Sequence, residues 1–178
     1  MKYVFANTPQ GKGAKEMTDG ENQYFSNMYE KYAKSVYSVC LLYLKSKEDA
    51  EEAVTEAFIR LMKQRPDFEN DAHAKSYLIK ISVNICKNLL KSGWKKNVVH
   101  NEEILQYMTS SEDRGVMEEV LSLSPKYRVV IYMHYYEGYT AQEIADIMNI
   151  SLPAVLSRLS RGRGKLKEIL IKGGFFYA

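Results

Sequence analysis

Residues 149–170 read NISLPAVLSRLSRGRGKLKEIL, and their spacing predicts one helix with two different faces. Apolar or small residues recur every three or four positions, which aligns them along one stripe of a helix. The stripe consists of Val155, Leu159, Gly162, Leu166, Ile169 and Leu170. Arg158, Arg161 and Lys165 fall outside that stripe. The pattern therefore predicts a helix that packs against the protein along one side and offers cations along another.

The residues just before this helix predict a helix-turn-helix unit. Thr140 and Glu143 have the spacing of a capping box, which starts a short helix, and Ser151 caps the long helix after the turn at 149–151. Such a second helix fits the major groove of DNA, and the planar fork of arginine suits guanine edges and phosphates. A solvated basic helix without a DNA partner is the structural alternative.

The rest of the chain also has helical spacing, so we predict an all-α fold. The further predicted helices cover about 24 to 44, about 46 to 62, about 72 to 91, a short stretch from 116 and a stretch from Pro125 to Gly138. Pro125 follows Ser124 at a first helical position, where proline costs no hydrogen bond. Segment 102–108, EEILQYM, could form a further short helix.

Charge and loop signals divide the predicted chain into two small helical domains. We place a flexible tail at 1–22, a helical bundle at 23–91, a flexible acidic linker at 92–115, the helix-turn-helix domain at 116–172 and a tail at 173–178. Residues 97–125 hold six acids and one arginine, whereas 75–96 hold six lysines and no acid. Such segregated charge blocks indicate surfaces with separate partners.

Two helices of the first domain carry opposite charge. Segment 46–57, SKEDAEEAVTEA, is acidic outside its apolar stripe, so it is unsuited to phosphates and favours a protein partner or plain solvent. The helix from 72 carries a polar strip of Lys80, Asn84, Lys87 and Lys91, and Trp94 follows it. Amide, cation and aromatic groups in such a mixture hold nucleic-acid backbone and unstacked bases.

No pattern in the sequence indicates catalysis, a cofactor or a metal. His73, His100 and His134 are isolated and lack metal-ligand spacing, and His134 on an apolar stripe favours a core position. Cys40 and Cys86 lie in apolar patterns and are predicted to be buried free thiols in a reducing compartment. No apolar run reaches membrane-spanning length, and no secretory signal is seen, so we expect a cytoplasmic protein without membrane insertion.

Two blocks of the chain together resemble the extracytoplasmic-function (ECF) sigma factors, which direct bacterial RNA polymerase to promoters. The front block contains KEDAEEAVTEAFIRLMK at 47–63 and KSYLIKISVNICKNLLK at 75–91. The back block is LSLSPKYRVVIYMHYYEGYTAQEIADIMNISLPAVLSRLSRGRGKLKEIL at 121–170. Thr55, Pro153 and Leu156 differ from the family's usual glutamine, glycine and lysine, and these differences concern partner strength or promoter sequence.

The resemblance implies a bundle like sigma region 2 and a helix-turn-helix domain like sigma region 4, and it assigns roles to named residues. The surface for core polymerase would comprise Glu52, Thr55, Glu56, Ile59 and Met62. The residues for the minus-ten promoter element would be Lys80, Asn84, Lys87 and Lys91. The residues for the minus-thirty-five element would be Ala154, Ser157, Arg158 and Arg161.

Implied partners are core RNA polymerase, promoter DNA and an anti-sigma factor, and we expect a monomer when the protein is free. No enzymatic activity is expected, because the chemistry belongs to polymerase. Two alternatives remain at the level of sequence: a helix-turn-helix regulator that does not bind core polymerase as a sigma subunit, and an adaptor that binds polymerase without reading DNA.

Overall fold

The computed structural model describes residues 18–92, 104–105 and 114–173. Those ranges contain helices and no strand, which confirms the predicted all-α fold. The helices are α1 (Asp19–Leu44), α2 (Lys47–Gln64), α3 (Asp71–Lys91), α4 (Arg114–Ser122), α5 (Pro125–Tyr135), α6 (Ala141–Met148) and α7 (Leu152–Lys172). Trp94, His100, residues 1–17, residues 174–178 and most of the predicted linker lie outside the described residues.

Helix α1 begins at Asp19, about five residues before its predicted start. Its N-cap is Thr18, whose side chain accepts a hydrogen bond from the Glu21 backbone at 3.3 Å, while the Glu21 carboxylate accepts from the Thr18 backbone at 2.8 Å. This reciprocal pair is a capping box, which satisfies two backbone donors that the first turn leaves without partners. Residues 19–22 therefore belong to the helix, with Thr18 as its cap, and not to the predicted tail.

The loops of the front half are short because a left-handed residue ends each of the first two helices and a capping residue begins the next helix soon after it. Lys45 adopts the left-handed conformation at φ 50° and ends α1, and the next residue, Ser46, caps α2 by accepting from the Asp49 backbone at 3.2 Å. Arg65, at φ 43°, ends α2. Asn70 caps α3 by accepting from the His73 backbone at 2.9 Å. Helix α3 thus begins within one residue of its prediction.

The helix-turn-helix prediction is confirmed by α6, the turn at 149–151 and α7. Thr140 and Glu143 form the full capping box, Asn149 ends α6 at φ 50°, and Ser151 caps α7. Ser124 occupies the N-cap of α5 and Pro125 follows it, but the Ser124 side chain makes no cap hydrogen bond. Pro125 still suits the start of α5, because the N–H group that proline lacks would have no intrahelical partner at this position.

Helices α1, α2 and α3 pack on one another as a front bundle, and α4 to α7 form a back bundle in which α7 lies against α5 and α6. Gly162 is buried where α7 meets α5: a Cβ there would lie 3.2 Å from Ile131 Cγ1. The absence of a side chain at Gly162 is what lets these two helices approach. Cys40 and Cys86 are both buried and free, as predicted.

The two bundles also pack on each other, α1 against α5 and α3 against α6. Their buried apolar side chains form one cluster, to which Ile104 and Leu105 of the predicted linker also belong. Both of these linker residues are helical, as the EEILQYM pattern allows. The division into two domains stays a prediction, because the halves share this buried contact.

Within the described residues, none of the helices combines the length and the apolar character that crossing a bilayer needs.

Candidate nucleic-acid and polymerase interfaces

Helix α2 turns the predicted polymerase surface away from the front core. Its buried side is made of small and apolar residues, among them Ala53, Ala57 and Leu61. On the opposite side, Glu52 and Thr55 of the predicted surface are exposed. The other three residues of that surface, Glu56, Ile59 and Met62, are half-buried. The surface thus combines carboxylates with accessible apolar area, which is the composition of a protein interface rather than of a phosphate-binding face.

Two local contacts hold side chains on this face of α2. The Thr55 hydroxyl donates to the Glu51 carbonyl at 2.8 Å, which keeps the hydroxyl on its own helix. Arg60 Nε lies 2.7 Å from Glu56 Oε1, a pair one helical turn apart. A cation therefore borders the acidic face, so a partner of this face meets less negative charge than the sequence count of acids implies.

The predicted minus-ten strip runs along one face of α3, and the structure divides it. Lys80, Asn84 and Lys91 are exposed, whereas Lys87 is half-buried. The Lys87 ammonium donates a hydrogen bond to the Met148 carbonyl at the end of α6. Burial lowers the pKa of Lys87, and the nearby charges of Arg158 and Lys91 lower that pKa further. Lys87 thus joins the two halves, while the other three residues are accessible to a ligand.

The four residues predicted for the minus-thirty-five element lie along the first three turns of α7 but differ in accessibility. Ala154, Ser157 and Arg158 are half-buried, and Arg161 is exposed. The positive charge of Arg158 lowers the pKa of Lys87 in α3. The same charge acts to lower the pKa of Tyr43, but burial raises that pKa by more. Arg158 therefore lies at the junction of the halves, while Arg161 faces solvent.

Further accessible side chains lie on another edge of α7, and the sequence reasoning did not single out Ser160 or Arg163 among them. Ser160 and Arg163 are exposed, and Leu156 is 51% exposed. Arg163 Nη1 donates to the Tyr135 hydroxyl at 3.4 Å, which ties this edge to the end of α5. Helical position alone could have marked Ser160, because it falls opposite the buried stripe.

Sequence reasoning also missed Arg128. It is buried in α5, and its guanidinium donates to three backbone carbonyls: Leu123 at 3.0 Å, Tyr43 at 3.3 Å, and Leu42. Burial lowers the pKa of Arg128 to about 10, so the group still carries its charge at neutral pH. The available signal was a lone cation inside the apolar run YRVVIYM, at 127–133.

An ion pair closes the other end of the junction. Lys75 Nζ lies 2.6 Å from Glu137 Oε2, and the Glu137 side chain is only 8% exposed. The Lys75 ammonium also lies 5.7 Å from the centre of the Tyr139 ring. Lys75 lies near the start of α3, and Glu137 lies just after the end of α5. This pair therefore joins the front half to the back half.

In the described ranges no group of three or more histidine, cysteine, aspartate or glutamate side chains could hold a metal ion. His134 is half-buried, and its Nδ1 lies 2.8 Å from the Tyr139 carbonyl, so the ring serves the packing of the back half.

Comparison with known families matches both halves of the chain. Residues 28–96 match the family described as Sigma-70 region 2, and residues 114–166 match the family described as Sigma-70, region 4. The first segment contains α2, α3 and all but the first turns of α1. The second segment contains α4 to α6 and all but the last turns of α7.

Relatives over nearly the whole chain carry one common description. The ECF RNA polymerase sigma factor SigW of Bacillus subtilis is 25% identical over 180 residues, covering 89% of this chain and 95% of that protein. The ECF RNA polymerase sigma-E factor of Escherichia coli K12 is 28% identical over 165 residues, covering 81% of this chain and 85% of that protein.

Solved structures share the fold. The sigma factor RpoE of Bartonella quintana, in complex with the anti-sigma factor NepR, aligns with a TM-score of 0.63 and 16% identity over 86% of this chain and 98% of that one. CnrH, in complex with the cytosolic domain of CnrY, aligns with a TM-score of 0.62 and 18% identity over 85% of this chain and 90% of that one.

Proposed function

The chain belongs to the extracytoplasmic-function sigma factors, and we propose that it binds core RNA polymerase and directs promoter-specific initiation by reading minus-ten and minus-thirty-five elements. The observation that carries this function is the pairing of a region 2 bundle with a region 4 helix-turn-helix in one chain, each with its own charged surface. A regulator that lacks a polymerase-binding half would leave the front bundle without a role.

We assign polymerase binding to the exposed side of α2. Glu52 and Glu56 supply negative charge, and the partly exposed Ile59 and Met62 supply apolar area beside it. Such a surface would dock a basic, partly apolar helical partner, with charge setting the association rate and buried area setting the lifetime. The Arg60–Glu56 pair would have to rearrange or stay at the rim of the contact.

We assign the minus-ten element to the strip on α3. Lys80 and Lys91 would contact phosphates, and the exposed amide of Asn84 can both donate to and accept from a base edge. Lys87 could join them only after it leaves Met148. Helix α3 would therefore gain its full reading surface when the halves separate.

We assign the minus-thirty-five element to the start of α7. A helix-turn-helix unit places the N-terminal turns of its second helix in the major groove, which is where Ala154, Ser157, Arg158 and Arg161 lie. Arg161 is accessible in the described arrangement, whereas Arg158 shares the junction with Lys87. Ser160 and Arg163 extend the accessible polar surface beyond the four predicted residues.

An anti-sigma factor is a further proposed partner, since the Bartonella relative was solved with NepR bound. The protein would act where polymerase and chromosome lie, in the cytoplasm, and as a positioning subunit rather than as an enzyme.

Run-off transcription with bacterial core polymerase tests the proposed function. We expect the purified chain to confer starts at a defined set of promoters on core polymerase that lacks any other sigma factor. Starts that require a second sigma factor would identify a regulator instead. Polymerase binding without any specific start would identify an adaptor, and the sigma function would then be rejected.

A further inference from the structure

Helix α1 ends at Lys45, and the back half brings a second cation, Arg128, to its last carbonyls. The last turn of α1 holds no basic residue, and its final carbonyls have no partner within the helix apart from the Leu41 carbonyl, which accepts from the Lys45 backbone at 2.9 Å. Arg128 donates through Nε to the Leu42 carbonyl and through Nη2 to the Tyr43 carbonyl. The end of α1 is thus capped by a residue 85 positions away in sequence.

Three features make this contact strong. The guanidinium meets the negative end of the α1 dipole, its planar fork matches two successive carbonyls, and a third donor holds Leu123 of its own half at 3.0 Å. Arg128 is only 5% exposed, so salt screens the contact little. Loss of the guanidinium would leave buried carbonyls without donors.

The arrangement that Arg128 holds is too compact for a promoter with two elements. Elements at minus ten and minus thirty-five lie about 25 base pairs apart, or roughly 85 Å along B-DNA. In the described structure α3 packs directly on α6, and packed helices have axes only about 8–10 Å apart. Lys87 and Arg158, one from each predicted reading set, lie close enough for their charges to interact.

We propose that Arg128 is a latch, which holds the front and back halves in a closed state that must open before both promoter elements can be read. The Lys75–Glu137 pair and the Lys87–Met148 hydrogen bond support the same closed state at other points of the junction. Cations of the two reading surfaces repel each other across this junction, so the carbonyl contacts of Arg128 act against a force that opens it. The consequence for transcription rests on the proposed function, whereas the latch itself does not.

Fluorescence energy transfer within the full chain tests the latch. Dyes at Glu30→Cys on α1 and Glu168→Cys on α7 lie at exposed positions of the two halves, while Cys40 and Cys86 are buried. The parent chain should show one high-transfer population. Arg128→Lys, which keeps the charge and loses the fork, should raise the ratio of open to closed molecules roughly tenfold, since a hydrogen bond to a charged group contributes more than an ordinary one.

Lys126→Arg is the matched control, because it exchanges one cation for another at an exposed position of the same helix and should leave the transfer distribution unchanged. Arg128→Met, which keeps much of the side-chain volume, should open the chain at least as far as Arg128→Lys. An unchanged distribution in folded Arg128 variants would overturn the latch. So would loss of the back half's helical circular dichroism in both variants, because Arg128 would then be a folding residue of that half.

Binding to core polymerase tests the consequence. A closed fraction lowers the apparent affinity of any partner that needs the open form. Arg128→Lys should therefore form the polymerase complex faster than the parent, and Lys126→Arg should not. An unchanged rate in a chain that is open by energy transfer would overturn the regulatory consequence. Failure of the parent chain to start transcription would overturn the proposed function, and the energy-transfer result would still decide the latch.

Discussion

The ammonium of Lys87 in α3 donates a hydrogen bond to the carbonyl oxygen of Met148, the last residue of the first helix of the helix-turn-helix unit. This contact joins residues 61 positions apart and connects a predicted minus-ten residue to the domain predicted to read the minus-thirty-five element. Lys87 therefore stabilises the closed molecule in one state and could contact promoter DNA in another.

Lys87 and Asn84 should separate promoter opening from packing of the halves. Both Asn84→Ala and Lys87→Ala should reduce open-complex formation more than initial promoter capture, measured by permanganate reactivity of melted thymines against gel shift. Only Lys87→Ala should also destabilise the free protein, by about 1–3 kcal/mol, because it removes a half-buried charged hydrogen bond. Asn84→Ala, at an exposed position, should change the free energy of unfolding by less than about 0.5 kcal/mol. Normal promoter opening by both variants would leave α3 as a packing helix alone.

Arg158 and Arg161 should differ in what they contribute to DNA binding. Arg161 is exposed, so Arg161→Ala should weaken binding to all promoters alike and reduce the slope of log affinity against log salt by about one unit. If Arg158 forks onto a guanine, Arg158→Ala should cost about 1–3 kcal/mol and relax the preference at one promoter position. Affinities measured over a promoter set and a salt series distinguish the two roles. Absence of any effect from either change would rule out α7 as the reading helix.

The acidic side of α2 should determine polymerase affinity. Glu52→Lys combined with Glu56→Lys should weaken binding to core polymerase roughly tenfold or more, since it reverses the charge on a docking face. Glu30→Lys with Glu69→Lys makes the same change in net charge at exposed positions of the front half and serves as the control. Fluorescence anisotropy of labelled protein with core polymerase measures both. Equal weakening by the two pairs would mean that only net charge matters.

Two glycines of α7 should respond to substitution in opposite directions. A side chain at Gly162 would meet Ile131, so Gly162→Leu should lower the free energy of unfolding by about 1–3 kcal/mol through overpacking. Gly164 has no atom within 4 Å of a new Cβ, so Gly164→Ala should stabilise the protein by up to about 1 kcal/mol through helix propensity. Urea denaturation followed by circular dichroism compares them. A stable Gly162→Leu protein would show that α5 and α7 can move apart freely.

The capping box of α6 should make the helix-turn-helix sensitive to acid. Hydrogen bonds from the side chain and backbone of Thr140 lower the pKa of Glu143 below its usual value of 4.5. A carboxyl group with a lowered pKa in the folded state stabilises that state above the unfolded pKa, and this stabilisation is lost as the pH falls through the folded pKa. The difference in thermal midpoint between the parent and Glu143→Gln should therefore be full at pH 6 and shrink below about pH 4. A difference that stays constant with pH would contradict this linkage.

The sequence by itself determined the helices and their inner faces. Apolar spacing located α3 within one residue at its start, and the Thr140–Glu143 and Ser151 caps located the helix-turn-helix turn, because caps and periodicity act over three or four residues. The start of α1 was placed about five residues late, since its apolar stripe begins only at Phe25 and the Thr18–Glu21 capping box precedes that stripe.

Only the tertiary structure decided how the two halves meet. Helical periodicity shows which side of α3 or α7 is polar, but it contains no information on which polar residue another half will cover. Lys87 has an ordinary sequence context, and the apolar run around Arg128 indicates burial but no partner, yet their contacts join residues about 60 to 90 positions apart. Burial of Arg128 against the end of α1 depends on both bundles being folded and docked, because the carbonyls it caps exist as a paired site only at the end of a completed helix.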